Sequence, residues 1–330
     1  MTMLSPFAID LVNRYQGGFP LLASRPFGEM AEALGAREDA VLTTIAELVE
    51  GGQLSRFGPI YDASRLGGGQ TLAALQAPEQ QFDSIAAKVN ALPAVAHNYR
   101  RDHRLNMWFV VAAPQPAEVE QALAQIEHDT GLRVFNFPKL HEFYLGLWLE
   151  LDGSGGVRTV PVPLPAASRP GQALDAVDLR IVAATQGGLP LVEDPVGELA
   201  RQVELDRQVL AQRLQAMLDS GAIRRIGAVP NHYRLGLRGN GMTVWDVPDD
   251  MAVALGEQVG ALDFVSHSYL RPRYPGHWNY NLFAMVHGHD RGEVLDKTQQ
   301  VEAILAPHCR AHDILFSSAV LKKTGLRLAA

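Results

Sequence analysis

The apolar residues at the start of the chain recur every three or four positions, which is the period of an amphipathic helix. This spacing predicts three short helices, over residues 6–14, 28–34 and 37–50. Residues 54–60 then predict a strand with a turn at Gly58 and Pro59. Three helices followed by a β-wing predict a winged helix-turn-helix.

After the glycines at 67–69 the pattern changes to short apolar runs that alternate with helical segments. The runs predict strands over residues 71–75, 95–99, 106–111 and 132–140, and the longer segments predict helices over residues 78–92 and 116–130. The resulting order, βαββαβ, is typical of a ferredoxin-like domain.

The second half of the chain repeats this succession. Gly17-Gly18 corresponds to Gly187-Gly188 at an offset of 187 − 17 = 170, and His97 and His267 keep that offset because 267 − 97 = 170. The repeated elements are predicted helices at 175–186, 195–204, 206–220, 248–259 and 291–305, a wing at 223–233, and strands at 242–247 and 313–321. We therefore predict an α+β fold, a tandem repeat of a winged helix-turn-helix and a ferredoxin-like domain.

The repeat and the glycine- and proline-rich stretch between its copies set the predicted boundaries. They are a winged-helix domain at 1–64, a ferredoxin-like domain at 65–151, a linker at 152–173, a winged-helix domain at 174–238 and a ferredoxin-like domain at 239–330. Little in the linker is expected to pack.

Composition narrows the class of protein. Of 330 residues, 47% are apolar and 20% charged, as in soluble globular proteins. No apolar run approaches the ~20 residues of a membrane span, and the N-terminus lacks the pattern of a secretory leader. We therefore expect a cytoplasmic protein. Cys309 is the single cysteine, which excludes an intramolecular disulfide.

Charge disfavours nucleic acid as a partner. The formal net charge is −7. The predicted third helix, which would enter the major groove of DNA, sets four carboxylates against Arg37: Glu38, Asp39, Glu47 and Glu50. The corresponding helix of the second half carries Arg207 and Arg213, whose charges are offset by Asp206 and Asp219. DNA binding is therefore not expected, and no membrane partner is expected either.

Candidate chemistry gathers at two hairpins, one in each half. Cationic side chains alternate there with aromatic ones: Tyr99, Arg100, Arg101, Arg104, Trp108, Tyr269, Arg271, Arg273 and Tyr274, with Lys139, Lys322 and Lys323 on the last strands. Such a set in an acidic protein indicates an anion site. Interleaved cations and aromatic rings also occur in single-stranded nucleic-acid binders, which the acidic total disfavours.

Two of the eleven histidines stand out from the rest. His97 and His267 occupy equivalent positions beside tyrosine and arginine. His141 is a third catalytic candidate, on the last strand of the first half. Structural or surface positions are the default for His128, His232, His308 and His312, with His277 at a hairpin corner and His287 and His289 at a strand exit. No protein-only metal site is predicted.

A winged helix followed by a ferredoxin-like domain resembles the Lrp/AsnC regulators. The hairpins, together with Phe137-Pro138-Lys139 and residues 321–327, resemble the siroheme decarboxylases, Lrp-like proteins that usually occur as two different paired subunits. This chain resembles a fusion of both subunits, the form used on the route to haem d1. The resemblance implies removal of the carboxyl groups of two siroheme acetates, which gives 12,18-didecarboxysiroheme.

The resemblance also implies roles for the candidate residues. The cleft between the paired sheets would hold the tetrapyrrole as substrate, with no cofactor, and the cations would bind its carboxylates. His97 or His267 would donate a proton to the methylene carbon. His141 is expected opposite Lys322 of the other half, which would make one pocket productive and the other degenerate.

Several alternatives stay open at this level. A histidine could ligate the substrate iron, and chains could pair into a homodimer. A DNA-binding regulator with an anionic or haem-like effector is the rival function, and a tetrapyrrole carrier without catalysis is a third.

Overall fold

A computed structural model describes residues 4–163 and 174–324. Its helices are α1 Pro6–Arg14, α2 Pro26–Ala33, α3 Glu38–Glu50, α4 Phe82–Ala91, α5 Pro116–Thr130, α6 Ala176–Thr185, α7 Pro195–Gln202, α8 Arg207–Asp219, α9 His232–Leu235, α10 Ala252–Gly260 and α11 Arg291–Leu305. Its strands are β1 Leu54–Tyr61, β2 Gly69–Leu75, β3 Val95–Arg101, β4 Met107–Ala113, β5 Phe135–Phe137, β6 His141–Leu145, β7 Trp148–Leu151, β8 Val157–Val160, β9 Ile223–Pro230, β10 Gly239–Asp246, β11 Val265–Leu270, β12 Leu282–Gly288 and β13 Ala311–Lys323. The predicted α+β tandem repeat is confirmed.

The winged-helix units of the two halves join through their wings. Strand β1 runs without interruption and pairs antiparallel with β9, so that Gly58 lies opposite Gly227. The predicted turn at Gly58 and Pro59 is therefore wrong. A Cβ at Gly227 would lie 2.3 Å from the carbonyl oxygen of Tyr15. Gly227 therefore allows the two backbones to approach closely, and the chain forms no turn at this pair of glycines.

The ferredoxin-like units merge into one curled antiparallel sheet. Within the described residues it has nine strands in the order β5-β2-β4-β3-β13-β10-β12-β11-β6. Strand β13 pairs first with β10 of its own half and then with β3 of the other, and β6 pairs with β11 of the other half. Because β5 and β6 are consecutive in the chain, the two edges of the sheet meet and the sheet nearly closes.

Two predicted elements differ from those observed. Of the predicted strand 132–140 only Phe135–Phe137 is a strand, β5, because Pro138 lacks the N–H that would continue the ladder, and β6 begins beyond it at His141. In the predicted wing 223–233, the strand ends at Pro230 and a short helix, α9, follows.

The first part of the predicted linker is ordered and packed. Strand β8 pairs with β7, and Val157 is buried. The amide of Gln16 donates to the carbonyl of Leu149 at 2.6 Å, and that of Asn13 donates to the carbonyl of Leu151 at 2.9 Å. These bonds attach the hairpin to α1, so the expectation of little packing is wrong for residues 157–160. Residues 164–173 lie outside the described residues, and the domain boundaries stay predictions.

The two halves share an aromatic core. The rings of Trp108 and Trp278 lie 5.1 Å apart, and Phe137 stacks on Trp108 at 5.2 Å. Both tryptophans are buried. The halves thus pair within the chain through a core as well as through shared strands.

In the ranges that the structure describes, no helix has the length and apolar character needed to cross a bilayer.

Candidate active site

A large cavity lies between the curled sheet and the two winged-helix units. Its volume is about 2900 Å³, and residues of both halves line it. Small-molecule pockets in proteins usually enclose ~300–1,000 Å³. The size of the cavity therefore suits a ligand well above the usual range.

One five-residue pattern, His-X-Tyr-X-Arg, supplies the centre of the lining from each half. Alternate side chains of a strand point to the same face, so the first, third and fifth residues of the pattern share a face. On β3 and β11 that face turns to the cavity and presents His97, Tyr99 and Arg101 and their counterparts His267, Tyr269 and Arg271. The structure thus brings together the residues that the repeat singled out.

Each arginine of this pattern is anchored to the opposite half. Arg101 donates through Nη1 to the carbonyl of Leu315, and Arg271 donates through Nη1 to the carbonyl of Phe137. Both side chains are about 7% exposed, and neither Nε has a partner among the described residues. Burial lowers the pKa of each to about 10. Each guanidinium therefore stays charged, and its buried Nε–H has no acceptor among the described residues.

Tyr99 and Tyr269 accompany these arginines. The Arg101 guanidinium lies 5.7 Å from the Tyr99 ring, and that of Arg271 lies 4.8 Å from the Tyr269 ring. Burial raises the pKa of Tyr99 to about 12 and raises that of Tyr269 as well. Both phenols are therefore protonated at neutral pH and can donate hydrogen bonds.

Four histidines that line the cavity, His97, His232, His267 and His287, are neutral at physiological pH. Burial, and then Lys323, lowers the pKa of His97 to about 4. Burial lowers the pKa of His267 to about 4 and that of His232 to about 3, and it lowers the pKa of His287 well below its ordinary value. A bound anion would oppose these shifts, because negative charge favours the protonated imidazole.

Two of these histidines were not among the sequence-predicted site residues. His232 begins α9, and His287 lies on β12 with about 3% of its surface exposed. Their rings meet edge to face at 5.0 Å. Leu282 and Met107 begin the two equivalent strands, and their offset is 282 − 107 = 175. The same offset makes Ala112 the first-half equivalent of His287, since 287 − 112 = 175. Comparison of the repeats therefore gave no signal for His287.

The cavity carries positive charge although the protein is acidic. Eight cationic side chains line it: Arg56, Arg65, Arg101, Lys139, Arg224, Arg225, Arg271 and Lys323. They face four carboxylates: Asp62, Glu118, Glu142 and Asp219. This excess of cations in a chain of net charge −7 marks the cavity as an anion site.

An ion-pair network occupies one side of the cavity. Lys139 bonds Glu142 at 2.8 Å, and Arg224 lies 3.0 Å from Glu142 and 2.5 Å from Asp62. Lys139, a predicted substrate-binding residue, lines the cavity, and Glu142 balances its charge.

His141 also lines the cavity, but its counterpart in the other half is not Lys322. His141 of the first half pairs with Leu270 of the second, and the equivalent pair joins Ala319 of the second half to Arg100 of the first. The offset in the exchanged strands is therefore 319 − 141 = 178. It is larger than the offset of the hairpins because the connections between strands are longer in the second half. The expected opposition of His141 and Lys322 is wrong.

Five predicted substrate-binding residues lie outside the cavity lining: Arg100, Arg104, Arg273, Tyr274 and Lys322. Arg100 points to the opposite face of β3 and pairs with Glu79. Arg104 donates to the carbonyl of His277, and Arg273 pairs with Asp246 at 2.6 Å.

The remaining two of the five support the backbone. Tyr274 donates to the carbonyl of Asn136 at 2.6 Å, and Lys322 donates to the carbonyl of Asn90 at 2.7 Å. Trp108, by contrast, reaches the lining but is buried in the shared core.

The buried histidines predict acid-sensitive stability. Their folded-state pKa values, about 4 for His97 and His267, lie below the ordinary value of about 6.5, so the unfolded chain binds more protons between these limits. The free energy of unfolding is therefore expected to decrease as the pH is lowered through this window, by about 1.4 kcal/mol per pH unit for each such proton. Urea unfolding across the window checks this.

The replacement His232→Gln is expected to reduce the slope of stability against pH. Replacement of His308, an exposed residue outside the cavity, serves as the matched control and is expected to leave the slope unchanged. Stability that stays constant across the window would contradict the neutral state of the cavity histidines.

In the third helix of each winged-helix unit, arginine side chains form ion pairs with carboxylates. Arg37 pairs with Asp39 at 2.9 Å, and Arg213 pairs with Asp178 at 2.8 Å. These pairs leave little positive charge for phosphates on that surface. The expectation against DNA binding stays a prediction.

Family models match both halves of the chain. A model described as an AsnC-like ligand binding domain matches residues 65–144 and 234–322. A model described as the siroheme decarboxylase NirDL-like HTH domain matches residues 9–54 and 178–224. Together the two models follow the order of the tandem repeat.

Relatives match over the whole chain or over half of it. The siroheme decarboxylase NirDL subunit of Paracoccus denitrificans is 32% identical over 97% of this chain and 97% of its own. The siroheme decarboxylase NirH subunit of Paracoccus pantotrophus is 56% identical over 47% of this chain and 96% of its own. A crystal structure of the siroheme decarboxylase NirDL in co-complex with an iron-uroporphyrin III analogue has a TM-score of 0.70 and 29% identity, and covers 97% of this chain and 92% of its own. This chain therefore belongs to the siroheme decarboxylase family of carboxy-lyases, in the form that carries both halves in one polypeptide.

Proposed function

We propose that this protein decarboxylates two acetate side chains of siroheme and produces 12,18-didecarboxysiroheme on the route to haem d1. The observation that carries the proposal is the cation-lined, histidine-rich cavity between the two halves. A related structure with an iron-uroporphyrin III analogue supports a tetrapyrrole as the ligand.

The lining of the cavity fits the chemistry of such a substrate. Siroheme combines a flat apolar macrocycle with several carboxylates, so it needs apolar walls and cationic hydrogen-bond donors together. Arg101 and Arg271 approach from opposite halves, and each keeps a guanidinium N–H without a partner among the described residues. We assign carboxylate binding to these two arginines, with Lys139 and Lys323, and stacking contacts to Tyr99 and Tyr269.

The reaction requires placement of the acetate and delivery of one proton. The bond between the methylene carbon and the carboxyl carbon breaks, carbon dioxide leaves, and its bonding electrons pass into the conjugated macrocycle. A proton then adds to the methylene carbon and gives the methyl group. The substrate itself accepts the electrons, so we propose no separate cofactor and treat the iron tetrapyrrole as substrate.

Histidine is the proposed proton donor. His97, His141 and His267 line the cavity, and His97 and His267 are neutral in the free protein. Substrate carboxylates would raise the pKa of a nearby imidazole and load it with the proton that the reaction consumes. Ligation of the substrate iron by a histidine, a cytoplasmic location and a homodimer stay predictions.

Anaerobic incubation of the purified protein with siroheme, followed by mass spectrometry of the tetrapyrrole, tests the proposal. The expected result is stepwise loss of two masses, each equal to carbon dioxide. Tight binding with unchanged mass would overturn the catalytic proposal and indicate a carrier or a regulator. A DNA-binding assay in the presence and absence of siroheme would then separate these two.

A further inference from the structure

A buried chain of hydrogen bonds joins His267 to Asn240 through Ser266 and His287, along the wall of the cavity. His267 Nδ1 lies 2.6 Å from Ser266 Oγ, and that hydroxyl lies 2.7 Å from His287 Nε2. His287 Nδ1 in turn lies 2.5 Å from Asn240 Oδ1. Ser266, His287 and Asn240 are each at most 5% exposed, so water does not replace these partners.

The amide at the end of the chain fixes the direction of every bond in it. Asn240 Nδ2 lies 3.3 Å from the carbonyls of Leu237 and Arg238, which makes Nδ2 the donor and Oδ1 an acceptor. A neutral His287 must therefore carry its proton on Nδ1 and accept at Nε2 from the Ser266 hydroxyl. The Ser266 oxygen then accepts from Nδ1–H of His267.

One tautomer of His267 follows from this direction. With its proton on Nδ1, the ring has a lone pair on Nε2, which has no hydrogen-bond partner among the described residues. Because His267 lines the cavity, Nε2 is the nitrogen left for a bound molecule.

The first half lacks this chain at the equivalent positions. Ala96 replaces Ser266, since 266 − 96 = 170, and Ala112 replaces His287, since 287 − 112 = 175. The Nδ1 of His97 is buried without a partner among the described residues. The two histidines that the repeat makes equivalent thus differ in what orients them.

We propose that Ser266, His287 and Asn240 are positioning residues that hold His267 as its Nδ1–H tautomer, so that Nε2 of His267 receives and delivers the proton in the decarboxylation. This inference rests on the proposed function. It assigns the oriented proton donor to the second half of the chain. His97 has no such support among the described residues.

The charged groups around His267 change how readily Nε2 takes up a proton. They do not change which atoms donate and which accept along the hydrogen-bond chain. Glu142 favours the protonated ring, and Arg224, Arg271 and Lys139 oppose it. His232 lies edge to face with His287 on the cavity side. None of these groups supplies another acceptor to Nδ1 in the hydrogen bonds of the described residues.

The tautomer can be measured without substrate. Nitrogen-15 NMR of histidine-labelled protein, with the His267 signals assigned by their loss in His267→Gln, distinguishes Nδ1–H from Nε2–H. The expected result is Nδ1–H in the parent protein and loss of that preference in Ser266→Ala. An Nε2–H signal in the parent, or an unchanged tautomer in Ser266→Ala, would overturn the proposal.

A matched control lies two residues away on the same strand. The Ser268 hydroxyl is buried and has no hydrogen-bond partner among the described residues. Ser268→Ala therefore makes the same chemical change without touching the chain, and we expect it to leave the His267 tautomer and the turnover unchanged.

Kinetics then separate positioning from simple structural support. We expect Ser266→Ala to lower kcat about 10-fold to 100-fold, the effect of leaving a buried donor unpaired, while KM changes less than about twofold because Ser266 is not among the cavity-lining residues. Ser266→Thr, which keeps the hydroxyl, is expected to restore kcat. A parent protein that shows the Nδ1–H tautomer but leaves siroheme unchanged would refute the proposed function and not the tautomer.

Discussion

Replacement of His267 by alanine is expected to lower the turnover of siroheme by at least about 100-fold, the usual contribution of a general acid. His267 lines the cavity, and a buried hydrogen-bond chain orients it. Binding should change much less, since the cations that we assign to the carboxylates remain. Single-turnover decarboxylation and a separate binding titration with siroheme measure the two effects.

The equivalent variant of the first half is the matched comparison. His97→Ala removes the same side chain from the same strand position, but the Nδ1 of His97 has no hydrogen-bond partner in the part of the chain that the structure describes. We expect a smaller loss of turnover than for His267→Ala. Equal losses, or a product that stops after one decarboxylation in each variant, would show that each histidine serves one acetate. Parental rates for both variants would refute His97 and His267 as the donor.

The part of the site that the sequence predicted is the part that the repeat duplicates. His97 and His267 share an offset and neighbouring tyrosine and arginine residues, and the two-residue period of a strand places such residues on one face. The same period explains why Arg100 fails to reach the cavity. A cluster of charges in the sequence does not show which face each charge occupies.

The part that the sequence did not predict is asymmetric. His287 lies 20 residues beyond His267, since 287 − 267 = 20, and its first-half equivalent is Ala112. Only the paired strands β11 and β12 bring His287 and Ser266 together. A search for histidines absent from the other repeat would have found His287, whereas a search for shared histidines could not.

The periodicity of the apolar residues predicted the fold within each half but not the exchange of strands between the halves. Helical and alternating patterns predicted the elements of each half, and these are confirmed in their order. Pairing of β6 and β13 across the halves depends on the register of strands far apart in the chain, which local patterns do not contain. This exchange joins the two halves into one curled sheet, and residues of both halves line the cavity beside it.

Binding of the tetrapyrrole is expected to tighten as the pH falls from about 8 to about 5, by up to about tenfold per pH unit for each proton taken up. The pKa of His97 and of His267 is lowered to about 4 in the free protein, so both rings are neutral through this range. Substrate carboxylates raise these pKa values, so the complex binds more protons than the free protein. The gain ends near about pH 4, where the free histidines and the carboxylates are also protonated.

Calorimetric titration with iron-uroporphyrin III, in buffers of different ionisation enthalpy, counts the protons directly. Lys323 opposes protonation of His97 and His232, and Glu142 favours protonation of His267. Glu142→Gln is therefore expected to reduce proton uptake, and replacement of the exposed His308 is expected to leave it unchanged. Affinity that is constant with pH, with no proton uptake, would mean that the cavity histidines stay neutral beside the substrate. A neutral His267 with its proton on Nδ1 has none on Nε2 to give, so that result would exclude it as the donor.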